Sequence, residues 1–137
     1  MRRLYLDTSA YLELLLDDAQ ARPLKAETRE AHLLSSVLLV LEARRNLVRL
    51  ARQQFINATQ YGSCVSQVDA DIERFDLHDL TLDLCGTGPL PPIATPRSLD
   101  LVHLRTALWF HQDSRIDRFV TLDQRQEQAA RELGLPV

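Results

Sequence analysis

The chain is short of the residues that would place it in several large classes. It has two cysteines, Cys64 and Cys85, and no CxxC pair. The two could pair only if the fold brings them together, a thiolate zinc site is disfavoured, and two free thiols are expected. Lysine is nearly absent: Lys25 stands alone against 15 arginines, and the net charge is −3. Such a chain is no generic polyanion binder. The arginines can grip phosphate or carboxylate bidentately, although a codon bias would produce the same imbalance. Only 4 glycines occur. Gly86-Thr87-Gly88 is too short for a phosphate-cradling loop and lacks its lysine. No apolar run approaches the roughly 20 residues needed to span a membrane. Arg2 and Arg3 precede Leu4-Tyr5-Leu6, but Asp7 interrupts the run before a secretory core could form. A soluble, cytoplasmic protein is expected.

What is present points to one globular domain over residues 1–137. Hydrophobic content of 45% and charged content of 26% are ordinary, and a chain of this size buries a real core. Residues 3–6 read as a buried strand, followed by a helix over 10–16 capped by Thr8 or Ser9. A helical patch covers 24–29, and a second strand covers 32–35. Ser35 or Ser36 then caps a helix over 37–53, with Leu38, Leu41, Arg45 and Val48 near one face. Gly62 reads as a break, and Val65, Val68, Ile72 and Phe75 recur at helical spacing. Residues 76–80 read as a third strand, and 86–97, with four of the six prolines, as a loop. Ser98 opens a helix to about Gln112. A strand over 118–122 and a helix over 124–133, stopped by Gly134, complete the chain. This alternation predicts an α/β fold with a parallel sheet covered on both faces.

Against that background four acids stand out. Asp7, Glu42, Asp100 and Asp123 each lie within or at the end of an apolar segment, where carboxylates are uncommon unless paired or metal-bound. Each also has a structural reading. Asp7 can cap the first helix. Glu42 can pair with Arg45 or Asn46 one turn on. Asp100 suits the dipole of a helix start. Asp123-x-x-Gln126 resembles a capping box. His103, on the same helix face as Asp100, can steady that carboxylate, touch a phosphate, or sit as a core-edge imidazole with one hydrogen bond. The rival acid Asp117 precedes its strand and belongs to the opposite sheet edge.

Taken jointly, the acids predict a pocket at the carboxyl ends of the strands, where open α/β sheets bind ligands. Hard oxygen ligands suit Mg²⁺ or Mn²⁺. Such an ion activates water and clamps a phosphate, so phosphodiester hydrolysis is the natural reaction. The four histidines show no zinc-ligand spacing, and no G-x-S-x-G elbow occurs. A receiver domain would need an acidic pair and a late lysine. An Asp-x-Asp phosphatase fails because position 9 is Ser.

Four short motifs in order then resemble the PIN-domain nucleases, and more narrowly the VapC-type toxins. They are Leu4-Tyr5-Leu6-Asp7-Thr8-Ser9-Ala10, Leu34-Ser35-Ser36-Val37 through Glu42, Leu99-Asp100-Leu101-Val102-His103-Leu104-Arg105-Thr106-Ala107, and Phe119-Val120-Thr121-Leu122-Asp123. The resemblance covers essentially the whole chain. It implies a three-layer α/β/α domain with about four to five parallel strands and Mg²⁺- or Mn²⁺-dependent cleavage of RNA. The family's acids carry over to Asp7, Glu42, Asp100 and Asp123, with Asp7 and Asp100 as metal ligands and the other two acting directly or through water. Its hydroxyls carry over to Thr8 or Ser9 and to Thr121. A cognate antitoxin covering the site, and a homodimer, are also implied. Arg105 departs from the small residue common at its position, and the proline-rich loop is longer than the pattern. The apolar surface around Tyr11 and Leu12 to Leu16 either meets a partner or is buried between sheet and helix. Arg45, Arg49 and Arg52 form a stripe that either tracks RNA, with Arg105 as a further contact, or solvates its helix. Rival readings are an RNA-processing nuclease without antitoxin and a non-catalytic binding module.

Overall fold

The computed structural model describes residues 1–17, 19–86, 90–94 and 97–137. Four strands, β1 (Arg3–Leu6), β2 (His32–Ser36), β3 (Phe75–His78) and β4 (Arg118–Val120), form one sheet in the order β3-β2-β1-β4. All pairings are parallel. The helices are α1 (Thr8–Leu16), α2 (Arg22–Thr28), α3 (Leu38–Arg52), α4 (Ala58–Ile72), α5 (Leu82–Gly86), α6 (Ser98–Asp113) and α7 (Gln124–Glu132).

The sheet is buried on both faces because its strands alternate two apolar sets. Tyr5 lies opposite both Leu34 and Phe119 in register. These three pack with Leu104, Ala107 and Phe110 of α6 and with Ala129 and Ala130 of α7. Leu4, Leu6, Leu33 and Val120 point the other way, onto Ala10 of α1 and Leu24 of α2. Successive strand side chains alternate faces, so these short apolar strands supply the inner surfaces of two helical layers. Each fully buried large apolar side chain contributes about 1.5–3 kcal/mol.

A third cluster joins Tyr11 and Leu15 of α1 to Leu39, Ala43 and Leu47 of α3 and Val68 of α4. The apolar excess on α1 is thus largely buried between sheet and helices. Tyr11 Oη donates to Asp71 Oδ2 at 2.9 Å. Burial, with the bond to Asp71 next, pushes that phenol far above its ordinary range, so it stays a donor.

Several local expectations are corrected. α1 starts at Thr8, not at residue 10, because Asp7 rather than Thr8 or Ser9 is its N-cap. The buried stripe of α3 is Leu39, Ala43 and Leu47, whereas Leu41 is 67% and Val48 48% exposed. The helix is rotated about one residue from the face read off the sequence. Gly62 lies inside α4 and breaks nothing, since packing overrides its modest helix penalty. β4 ends at Val120, where Thr121 turns its hydroxyl to Asp7. Gly134 does end the last helix, with φ of +79°. Residues 87–89 and 95–96 of the proline-rich stretch lie outside the described residues.

The strand order reverses between β1 and β4. β1 leads outward through β2 and β3, and the chain returns across the sheet through α6 to lay β4 on the other side of β1. Asp7 follows β1 directly, and Thr121 to Asp123 follow β4. The crevice that a parallel sheet opens at such a switch point is therefore walled by Asp7 and the turn carrying Asp123. Asp117, as anticipated, sits at the opposite edge, accepting from the Arg3 amide at 2.7 Å. Among the described residues, no helix is long and apolar enough to cross a membrane.

Candidate active site

Asp7 is 5% exposed, and both its carboxylate oxygens are engaged. Oδ1 accepts from Ser9 Oγ at 2.7 Å and from the Ala10 amide at 3.1 Å. Oδ2 accepts from Thr121 Oγ1 at 2.5 Å. Asp7 therefore does cap its helix, but Thr121 reaches it from the turn after β4, more than a hundred residues away. Burial raises the pKa of this carboxyl, and the Thr121 and Ser9 hydrogen bonds with the charge of His103 only partly offset it. The fold thus holds an acid whose ionised form it disfavours.

Glu42 is organised differently. Thr8 Oγ1 donates to Glu42 Oε1 at 2.6 Å, and His103 Nε2 lies 2.9 Å from the same oxygen. His103 Nε2 is also 3.1 Å from Thr8 Oγ1. On the far side of the ring, His103 Nδ1 is 2.8 Å from Tyr5 Oη. In the neutral ring with its proton on Nε2, Tyr5 donates to Nδ1 while Nε2 and Thr8 donate to Glu42; in the charged ring Nδ1 donates to Tyr5 instead, and either way the network is satisfied. Burial alone would raise the Glu42 pKa. The His103 and Thr8 hydrogen bonds, with the charges of His103 and Arg45, outweigh it and lower the value.

His103 is 2% exposed and belongs to α6, the helix that begins next to Asp100. Its Nε2 reaches Glu42 on α3. The sequence left its partner open because helical spacing places His103 beside Asp100, while only the seating of α6 on the sheet reveals Glu42, Thr8 and Tyr5. Replacing His103 with Ala removes the His103 partner of the buried Tyr5 hydroxyl and opens a void. An expected loss of about 2–3 kcal/mol follows, read from the midpoint of urea unfolding at unchanged slope. A loss below about 0.5 kcal/mol would show that the ring carries none of this network.

Asp123 caps α7: its Oδ1 accepts from the Arg125 amide at 2.8 Å and from the Gln126 amide at 3.4 Å. The capping box is only half realised. The Asp123 amide donates to Thr121 Oγ1 at 3.1 Å, and the Gln126 side chain turns away to donate from Nε2 to the Asp100 carbonyl at 3.0 Å. Asp100 lies in the first turn of α6 with the Arg97 guanidinium 3.9 Å from its Oδ2.

The four acids thus share the carboxyl edge of the sheet and are linked in series. Thr121 joins Asp7 to the Asp123 turn, Gln126 joins that turn to the Asp100 segment, and the adjacent Thr8 ties Asp7's segment to Glu42. The structure does not draw them into a closed cage. Among the described residues no three His, Cys, Asp or Glu side chains converge closely enough to hold one ion. The carboxylates of Asp7, Glu42 and Asp123 are taken up by hydroxyls, amides or an imidazole of their own neighbourhoods, and that of Asp100 lies near the Arg97 guanidinium.

Of the basic candidates, Arg45 and Arg52 project from the exposed side of α3, and Arg49 hydrogen-bonds Gln53 and Asn46 on its own helix. Arg105 lines a groove of about 340 Å³ between α5 and α6, together with Leu84, Leu101 and Val102. The sequence reading missed Tyr5, whose buried hydroxyl holds His103, and the side-chain role of Gln126. A signal for Gln126 existed: it shares the i, i+3, i+4 spacing of Ala129 and Ala130 and therefore the buried face of α7.

A four-stranded parallel sheet between helical layers, with acids along its carboxyl edge, has the architecture of a PIN-like domain. No protein-family model matches the chain. It is 31% identical over all 137 residues to Ribonuclease VapC46 of Mycobacterium tuberculosis (strain ATCC 25618 / H37Rv), of which it covers 97%. The chain belongs to the VapC ribonuclease family.

Proposed function

We propose that the chain is a Mg²⁺- or Mn²⁺-dependent endoribonuclease and the cytoplasmic toxin of a VapBC-type pair. The observation that carries this reading is the buried Asp7 at the switch point of a chain that matches a ribonuclease along its whole length. The donor set fits a hard cation, since it is all carboxylate oxygen with no thiolate. Asp7 and Asp100 would hold the ion, with Glu42 and Asp123 contributing directly or through water. When bound, it would supply an activated water and neutralise charge on the scissile phosphate.

The chain's own residues do the rest. Ser9 and Thr121 fix both oxygens of Asp7, so its orientation is set before any ligand arrives. Thr8 and His103 fix Glu42 in its ionised form. Arg45, Arg49 and Arg105 would meet the RNA backbone, each as a screened surface contact. A cognate antitoxin would cover the acidic edge, and a homodimer is the expected assembly.

A second reading, a non-catalytic PIN-like binding module, draws on the absence of a convergent three-ligand group among the described residues. One experiment separates them. Purified protein is incubated with total RNA and Mn²⁺, and new RNA ends are sequenced. Discrete internal cuts, suppressed by the product of the adjacent antitoxin gene, are expected. RNA binding without new ends would overturn the nuclease reading in favour of the module.

A further inference from the structure

We infer that Gln126 is a positioning residue that ties the Asp100 segment to the Asp123 turn, an inference that rests on the nuclease reading. Gln126 is 0% exposed and lies on the face of α7 that otherwise buries Ala129 and Ala130. A buried amide is costly unless its polar atoms are bonded. Here only half of it is. Nε2 donates to the Asp100 carbonyl at 3.0 Å, whereas Oε1 is buried with no hydrogen-bond partner among the described residues.

Neither neighbour requires this amide for its own sake. The Asp100 carbonyl lies at the start of α6, where a helical carbonyl accepts from the residue four positions on. The Asp123 carboxylate already has the Arg125 amide at 2.8 Å. A leucine of similar volume would fill the site and leave no orphaned oxygen. What leucine would not do is bridge α6 and α7. The backbone of Gln126 is anchored to the Asp123 carboxylate at 3.4 Å, and its side chain holds the backbone of Asp100. One residue thereby bridges two acid-bearing segments, from the Asp123 turn to the backbone of Asp100. Outer-layer residues that orient ligand carboxylates typically change affinity or activity about 10–100-fold.

The test uses Gln126→Leu, with Gln126→Met as a second near-isosteric variant in case branching disturbs the packing. A merely structural role predicts unchanged or raised thermal stability and unchanged catalysis. The positioning role predicts unchanged or raised stability together with kcat lowered about 10–100-fold, KM within about threefold, and faster amide exchange over residues 97–104 in the metal-free protein. A kcat within twofold of the parent in both variants, or exchange over 97–104 identical to the parent, would overturn the inference. If the parent itself makes no cuts in Mn²⁺, the nuclease reading fails, and the exchange measurement alone still decides whether Gln126 holds the Asp100 segment.

Discussion

Asp7→Asn is expected to cut RNA at no more than about 1% of the parent rate while melting at the same temperature or higher. The rate loss follows from position. Groups that only orient a metal ligand cost about 10–100-fold when removed, so removing a ligand's charge costs at least the upper end of that range. The stability gain follows from the burial of an ionised carboxylate. Asparagine keeps an acceptor for Ser9 and the Ala10 amide, and Thr121 can turn its hydroxyl to accept from the new amide. The variant therefore loses the charge and keeps the cap.

The pH dependence has a definite sign. The folded pKa of Asp7 is raised by burial. Its contribution to stability is full below the ordinary carboxylate range and is lost as pH rises through the raised folded value. Glu42 has the opposite slope, because its folded pKa is lowered: its contribution is present above the ordinary value of 4.5 and fades as pH falls through the folded one. Melting curves of parent and Asp7→Asn between pH 4 and 8, controlled for ionic strength, should diverge upward in pH in favour of the variant. A variant that cleaves at the parent rate would remove Asp7 from the site. One that melts well below the parent at neutral pH would show that the hydroxyl bonds outweigh burial.

Chelation is expected to have an effect of equal or greater size. Excess EDTA should abolish cleavage, and Mn²⁺ or Mg²⁺ added beyond the chelator should restore it. Hard oxygen donors, with one carboxylate disfavoured as a bare ion, are what a divalent cation would satisfy. A ligand that binds only the folded chain also stabilises it, by about 2.7 kcal/mol at 100 times its dissociation constant. Mn²⁺ should therefore raise the melting temperature of the parent and do so far less for Asp7→Asn. Cleavage undiminished by EDTA would remove the metal from the mechanism. His103 could not readily take its place as a free base, since both its ring nitrogens are engaged and the ring is 2% exposed.

How far the site was legible before folding differs residue by residue. Asp7 and Asp123 were readable because each follows a short apolar strand, and strand ends on one side of a parallel sheet must share an edge. The same logic assigned Asp117 to the other edge. Thr121 entered only through the family resemblance, which implied a supporting hydroxyl there. The face of α3 was misjudged by about one residue. The helix carries apolar side chains around much of its start, from Leu38 to Leu41, so periodicity alone could not select the stripe that meets α1 and α4.

By itself, the sequence determined the layered α/β architecture, the strands that Asp7 and Asp123 follow and the family motif order, because alternation of apolar residues with periods of 2 and 3.6 is a local property of the chain. Tertiary structure alone decided the partners: Tyr5 and Glu42 for His103, Thr121 for Asp7, Gln126 for Asp100. Those pairs lie between 26 and 114 residues apart in sequence. Hydrogen bonds of 2.5–3.0 Å depend on how helices seat on the sheet to within an ångström. That seating is fixed by the close packing of side chains drawn from the whole chain, and no local pattern contains it.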